Sequence, residues 1–293
     1  VLSRIIKKHQ LFEEVIVHTG QHFDKNMSEL FFTEMQIQKP AYNLNINNLS
    51  HGAMTGQMLE KIEKILLDEQ PEIVVVYGDT NSTLAGALAA AKLHIPLIHV
   101  EAGLRSFNRR MPEEINRVMS DHVSTLLLCP TQTSIANLDR EGITEGVHHV
   151  GDVMFDATVY AAELANRKST ILERMSLRPQ EFAVATIHRA ENTDDDKQLR
   201  RVMDYLTEAA NGMPVVLPLH PRTRAALDRI DLIPPAIHLI DPVGYIDMHS
   251  LLANSALVLT DSGGLQKEAY FHRTPCVTLR DETEWVETIE AGW

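Results

Sequence analysis

Between Glu72 and Arg117 two apolar segments each run into a carboxylate, and this pattern restricts the fold more than any other in the chain. Ile73-Val-Val-Val-Tyr77 is followed by Gly78-Asp79-Thr80, and Pro96-Leu-Ile-His-Val100 by Glu101-Ala-Gly103. A β-branched run without polar alternation marks a parallel strand covered on both faces. The alanine- and leucine-rich stretch from Asn81 to Leu93 supplies a crossover helix between them. The result is a β-α-β unit, right-handed by the usual rule. In open α/β sheets ligands gather outside the carboxyl ends of the strands, so Asp79 and Glu101 are candidate site residues that share one crevice if their strands are neighbours. A polar loop from Leu104 to Met111 then leads to Pro112-Glu113-Glu114. Proline followed by acids suits a helix start. Taken alone, Glu113 and Glu114 read as complements to the helix dipole, with membership of the acid cluster as the alternative.

The length, 293 residues, suits two domains of about 150 each. No stretch reaches the roughly 18 uninterrupted apolar residues of a membrane span, and no secretory signal opens the chain. A net charge of −13 argues against a nucleic-acid backbone as partner, although a phosphate can still be bound locally. Cys129 and Cys276 are far apart in apolar segments and read as core thiols rather than a disulfide or metal pair. A reducing, cytoplasmic setting is expected. Despite 14 histidines there is no zinc-ligand spacing, and His148-His149 reads as a loop pair.

The chain opens with an amphipathic helix to Gln10 and a strand over 15–18, followed by the βα-loop Thr19-Gly20-Gln21-His22-Phe23-Asp24. That loop is either ligand-facing or an ordinary turn and cap. No strand precedes the opening helix, which implies a chain cut at its N-terminus. The asparagine-rich run from Tyr42 to Ser50 reads as a loop, and helices or strands follow at 54–67, 113–122, 125–129, 131–141 and near 149–150. The first domain is placed at 1–156 and the second at 157–293, with the helix from Phe155 and the polar run 166–169 as the link.

The second half alternates in the same way, with strands over 181–187, 214–217, 237–240, 256–260 and 276–279. A second parallel sheet is expected, and with it two domains facing each other across a cleft. Ser262-Gly263-Gly264 at a strand-to-helix turn is a phosphate-site arrangement, since glycines admit an anion and the helix start offers unpaired amides. Glycine pairs also occur at such turns for steric reasons alone. Glu268, further into that helix, is placed to reach a ribose diol or simply to be solvated. His188 at a strand end is either a structural hydrogen-bonder or a catalyst. Neither Gly-x-Gly-x-x-Gly after a strand nor a P-loop is present, which removes the main support for dinucleotide or P-loop chemistry.

Six motifs then occur in order: His18-Thr19-Gly20-Gln21-His22, Tyr77-Gly78-Asp79-Thr80, His99-Val100-Glu101-Ala102-Gly103-Leu104-Arg105, Pro112-Glu113-Glu114-x-Asn116-Arg117, Thr186-Ile187-His188-Arg189-x-Glu191-Asn192 and Thr260-Asp261-Ser262-Gly263-Gly264-x-Gln266-x-Glu268. Along essentially its whole length the chain resembles the non-hydrolysing UDP-N-acetylglucosamine 2-epimerases. The resemblance implies an α/β fold of two Rossmann-like domains of the glycosyltransferase-B type. It implies a UDP-sugar in the cleft, neither nicotinamide nor metal, and a homodimer. The implied reaction removes the proton at C2 while UDP leaves, then re-adds UDP with protonation on the other face. Asp79, Glu101, Glu113 and His188 become the expected acid–base set. Ser262, Gly263, Gly264 and Glu268 are expected to hold the uridine diphosphate, with Arg105 and His220 completing the substrate-binding set.

Departures from the family pattern narrow these expectations. An opening strand with a Gly-x-Arg-Pro loop and a closing helix back to the first domain are missing from the chain. Phe23-Asp24 replaces the basic residue that accompanies activation by substrate, Ala190 replaces a second arginine, and Trp285 stands where many relatives carry an arginine. The loop 105–112 and Asp281-Glu282-Thr283-Glu284-Trp285 resemble the branch that epimerises UDP-2,3-diacetamido glucuronates, where Arg109 and Arg110 could pair with a uronate. UDP-N-acetylglucosamine is the substrate expected first and the uronate second. A glycosyltransferase of the same fold, a hydrolysing epimerase and a non-catalytic binder are the other classes. The density of acids at Asp79, Glu101 and Glu113 exceeds what a transferase needs.

Overall fold

Every described strand pair runs parallel, as the uninterrupted apolar runs require. The structure is a computed structural model and describes residues 1–10, 12–21, 32–209, 212–232, 237–280 and 292. Residues 22–24 of the expected first βα-loop and 281–285 lie outside these. The chain divides into two compact units, Val1–Val153 and Met154–Trp293.

In the first unit the elements are α1 (Leu2–His9), β1 (Val17–His18), β2 (Tyr42–Asn43), α2 (His51–Glu69), β3 (Val74–Tyr77), α3 (Asn81–Lys92), β4 (Leu97–Val100), α4 (Pro112–Val123), β5 (Leu126–Cys129), α5 (Gln132–Arg140) and β6 (Val147–His149). The main sheet has the order β3-β4-β5-β6, and β1 pairs with β2 apart from it. The run expected to be a loop from Tyr42 therefore contains a strand, too short to register as a pattern. His148 and His149 likewise sit on the edge strand β6, not in a loop. The alanines of α3 explain how closely this helix lies on the sheet. Ala85, Ala87, Ala89 and Ala90 are fully buried, and a methyl added at Gly86 would come within 3.0 Å of Val76 Cγ1. Met54, Met58, Ile62 and Leu66 of α2 close the same core over Val76 and Leu97.

The second unit holds α6 (Val153–Lys168), α7 (Ile171–Arg174), β7 (Ala183–Thr186), α8 (Ala190–Thr193), α9 (Asp196–Ala209), β8 (Val215–Pro218), α10 (Pro221–Arg229), β9 (Ile237–Ile240), α11 (Tyr245–Asn254), β10 (Leu257–Thr260), α12 (Gly263–His272) and β11 (Cys276–Thr278), with sheet order β11-β10-β7-β8-β9. Successive strand residues point to opposite faces. Ala183, Ala185, Val215 and Leu217 accordingly pack under α9 and α10, while Val184, Val216 and Val258 pack under α11 and α12. Leu164 and Ala165 of α6, the helix expected to link domains, pack on Ile246 of this unit. Cys129 is buried and Cys276 half-buried; both are free thiols, and burial pushes the Cys276 thiol up to about 12. No described helix is long and apolar enough to cross a membrane.

Candidate functional site

β3 and β4 are hydrogen-bonded neighbours in the register Tyr77 to Val100, so Asp79 and Glu101 leave the same edge of the sheet from adjacent strands. The backbone at this edge is bent sharply. Gly78, Glu101 and Gly103 all have positive φ, +62°, +72° and +79°. For a glutamate this is a costly conformation, of a kind that clusters at functional sites. It is held by the Glu101 and Ala102 N–H groups, which both donate to Leu128 O at 3.1 Å. Gly103 must be glycine, since a Cβ there would meet Ser134 O at 2.4 Å. At Gly78 it is the positive φ and not space that favours glycine, since a Cβ there would lie an ordinary 3.5 Å from Glu101 Oε2.

α4 aims the second carboxylate. Arg117 Nη2 donates to Asp79 Oδ2 at 2.5 Å and Asn116 Nδ2 to Asp79 O at 2.9 Å, one helical turn beyond Pro112 and Glu113. Arg117 Nη1 also donates to Glu114 Oε2 at 3.2 Å. Glu114 is buried and accepts from the Ser106 N–H and hydroxyl and from the Phe107 N–H, each at 2.9 Å. It therefore anchors the loop before α4 rather than serving the helix dipole. Glu113 is exposed at the first turn of α4, and Phe107, Arg109 and Arg110 are exposed on the anchored loop.

His99, Asp121 and Arg105 form a buried ionic chain that ends at the exposed Glu141. His99 Nδ1 lies 2.7 Å from Asp121 Oδ1, and His99 Nε2 2.7 Å from Gly78 O. Asp121 Oδ2 also accepts from Arg105 Nη1 at 2.7 Å and Gly103 N at 3.2 Å, while Arg105 Nε and Nη2 donate to Glu141. Arg105, expected to touch substrate, is thus enclosed in the scaffold with 1 % of its side chain exposed. With Leu104 O, four acceptor atoms satisfy the guanidinium, which is what lets it be buried.

In the second unit β7 and β10 are neighbours, and their ends are joined by a buried Asp261. Its carboxylate accepts from His188 N at 3.1 Å, Arg189 N at 3.0 Å and Asn192 Nδ2 at 3.1 Å, and faces His188 Nδ1 at 3.2 Å. Burial alone would push this carboxyl up; His188, Asn192 and the Arg189 amide outweigh it and hold it below the ordinary value. With Nδ1 turned to Asp261, Nε2 is the outward atom of a half-exposed imidazole, whose ring lies 5.8 Å from that of His220. His220 caps α10, its Nδ1 accepting from Arg222 N at 3.2 Å. Ser262 caps α12 by accepting from Leu265 N at 3.3 Å. The Gly263 and Gly264 N–H groups, at the first turn of that helix, point out of it without intrahelical partners. Among the described residues a methyl at Gly264 would meet only Met154 Cε at 3.6 Å and Ser262 Oγ at 3.9 Å. Among the described residues nothing demands glycine there for space. Glu268 is buried one and a half turns further on.

A family model described as UDP-N-acetylglucosamine 2-epimerase matches residues 4–293. The chain belongs to that family. It is a UDP-sugar 2-epimerase, an isomerase. Similar proteins include the UDP-2,3-diacetamido-2,3-dideoxy-D-glucuronate 2-epimerase of Pseudomonas aeruginosa, 54 % identical over 100 % of this chain and 82 % of its own length. The UDP-N-acetylglucosamine 2-epimerase of Methanococcus maripaludis is 43 % identical over 99 % and 82 %. A crystal structure of the Methanocaldococcus jannaschii UDP-GlcNAc 2-epimerase with UDP-GlcNAc and UDP superposes with a TM-score of 0.90 at 43 % identity, covering 99 % of this chain and 82 % of that one. The expected fold class, two Rossmann-like units of the glycosyltransferase-B type, is the one found.

Seen within the family, the acids read from the sequence fall into two kinds. Asp79 and Glu101 share one sheet edge, and Glu113 stands on the helix that aims Asp79; Glu114 and Arg105 belong to the support. Sequence reasoning passed over Asp261, Asn116, Arg117 and Asp121 as individual residues. Asp261 follows an apolar strand just as Asp79 does, and the same rule would have found it. Asn116 and Arg117 lie three residues after Glu113 and Glu114, a spacing that puts them on one helix face. Among the described residues no group of three or more His, Cys, Asp or Glu could hold a metal ion.

Proposed function

We propose that this chain interconverts the C2 epimers of a UDP-2-acetamido sugar by eliminating and re-adding UDP. The observation that carries the reading is the pair of strand-end carboxylates, Asp79 and Glu101, held on neighbouring strands by Arg117 and by a left-handed backbone. A C–H beside an acetamido group is a weak acid, and its removal needs a positioned base. Return of the proton to the other face needs a second group, so a set of acids serves where one would not. Asp79, Glu101, Glu113 and His188 fill these roles. As the C2–H proton leaves to the base, the electrons form the C1–C2 double bond and the C1–O bond breaks toward UDP. Reversal with protonation on the opposite face gives the epimer. The Gly263 and Gly264 amides and the dipole of α12 stabilise the departing diphosphate. Ser262 caps that turn, His220 beside His188 contacts the substrate, and Glu268 binds the ribose diol.

Two sugars fit this chemistry and differ at C3 and C6. UDP-N-acetylglucosamine carries a neutral C6; a UDP-2,3-diacetamido glucuronate carries a carboxylate. The adjacent, exposed Arg109 and Arg110 and the 54 % identical relative named for the uronate favour the second. The test is proton NMR in deuterated water with each sugar nucleotide in turn. Deuterium appearing at C2 with the second epimer supports the reaction, and the faster substrate names the sugar. Absence of exchange with both sinks the epimerase reading, and Arg109→Ala,Arg110→Ala that leaves the uronate rate unchanged sinks the substrate preference.

A further inference from the structure

Tyr245, His249, Glu268 and His272 form a cluster of titratable groups between α11 and α12 that the acid–base chemistry does not use. Tyr245 Oη donates to Glu268 Oε1 at 3.1 Å, and His249 Nε2 stands 3.6 Å from that same oxygen. On its other side His249 Nδ1 lies 2.7 Å from His272 Nε2, and the Tyr245 ring meets the His249 ring edge-on with centroids 4.3 Å apart. The His249 side chain is completely buried, and its Nε2 has no hydrogen-bond partner among the described residues.

Proton counting orders this cluster. Two ring nitrogens 2.7 Å apart share one proton. Were it to come from His249 Nδ1, the neutral ring would turn a lone pair at Nε2 toward the Glu268 carboxylate, which is repulsive. With His272 Nε2–H as the donor, His249 carries its own proton on Nε2 and directs it at Glu268. Burial, and then the neighbouring His249, push His272 down to about 4, consistent with a neutral second ring. Burial, and then the Glu268 charge, raise the Tyr245 phenol, which keeps it a donor. Tyr245 donates to Oε1, the His249 Nε2–H faces the same oxygen from 3.6 Å as an electrostatic contact, and Oε2 has no partner among the described residues.

We propose that Tyr245 and His249 are positioning residues that lock Glu268 with Oε2 presented to the ribose diol, and so make the site selective for ribonucleotides over their deoxy counterparts. This rests on the reading of Glu268 as the ribose ligand. A carboxylate fixed in advance is not ordered at the expense of binding. A site built to take a hydroxyl rejects the analogue lacking it, because a buried acceptor is then left unpaired.

The experiment is calorimetric titration of the full chain with UDP and with 2′,3′-dideoxy-UDP. Wild type is expected to prefer UDP by about 100-fold, the range for hydrogen bonds to a charged group. Tyr245→Phe and His249→Leu should each lower that ratio about tenfold through UDP alone, with His249→Gln, which keeps a donor, restoring most of it. Tyr245→Phe preserves shape and keeps the test open if His249→Leu fails to fold. A wild-type ratio in both folded variants overturns the proposal, as does an equal loss for the two ligands, the mark of a merely structural role. A wild type without preference for UDP would instead overturn the ribose reading of Glu268 and the proposal with it.

Discussion

Glu101 carries a carboxylate on a backbone that ordinary residues avoid, and Gly264 stands where no described residue demands glycine for space. The two positions make opposite predictions. Replacing Glu101 with Gln keeps the left-handed turn and its two bonds to Leu128 O while removing the acid. Solvent exchange at C2 should fall by 100-fold or more, on the order of the usual contribution of general acid–base catalysis, with UDP affinity close to wild type. Gly264→Ala meets no described atom closer than 3.6 Å, so its melting temperature should stay within a few degrees of wild type, since a helix-start alanine costs little. UDP titration should show affinity lost by roughly tenfold or more, because the methyl stands where an anion would approach the amides. A Gly264→Ala protein that binds UDP normally would show that the glycine is there for another reason.

At the level of elements, the chain His99–Asp121–Arg105, buried up to its exposed end at Glu141, joins β4, α4 and the C-terminal end of α5. Asp121→Asn leaves Arg105 and His99 without their shared anion inside the protein. Breaking a buried pair from one side costs about 3–5 kcal/mol, so chemical denaturation should show a loss of that order. A change below about 1 kcal/mol, the scale of a surface pair, would mean that Asp121 is not the anchor described. In the second unit Asp261 draws together β7, α8 and the turn into α12. Its folded pKa is depressed, so its stabilisation is present above the unfolded value near 3.9 and is lost as pH falls through the folded pKa. Wild type should exceed Asp261→Asn in stability at pH 7, and the gap should narrow as pH falls below about 4. Unfolding curves at pH 7 and pH 3 check this, and a constant gap would contradict it.

Across the whole molecule, what the sequence makes legible is what depends on local pattern. Apolar runs gave both parallel sheets, and the acids at the ends of β3 and β4 were found by their position alone. Turn chemistry placed Ser262 and the glycine pair at a helix start, where they stand. What escaped depended on tertiary partners. Nothing in Leu104-Arg105-Ser106 separates an arginine for substrate from one sealed against Asp121 and Glu141, and the burial of Glu114 appears only when the loop folds back to it. β2 was missed because two paired residues in an asparagine-rich run carry too little pattern, and the Tyr245–His249–Glu268 cluster because Glu268 lies on another helix, 23 residues from the tyrosine it bonds. The way Glu114 holds its loop has a further consequence. Two of its three contacts are to main-chain N–H groups, which every residue but proline possesses. The stretch bearing Phe107, Arg109 and Arg110 can therefore change sequence without losing its attachment, while Asp79 and Arg117 stay as they are. Evolution, or a protein engineer, can exchange this segment like a tool head on a fixed handle, because neither the Glu114 anchor nor the Arg117–Asp79 pair draws on its side chains.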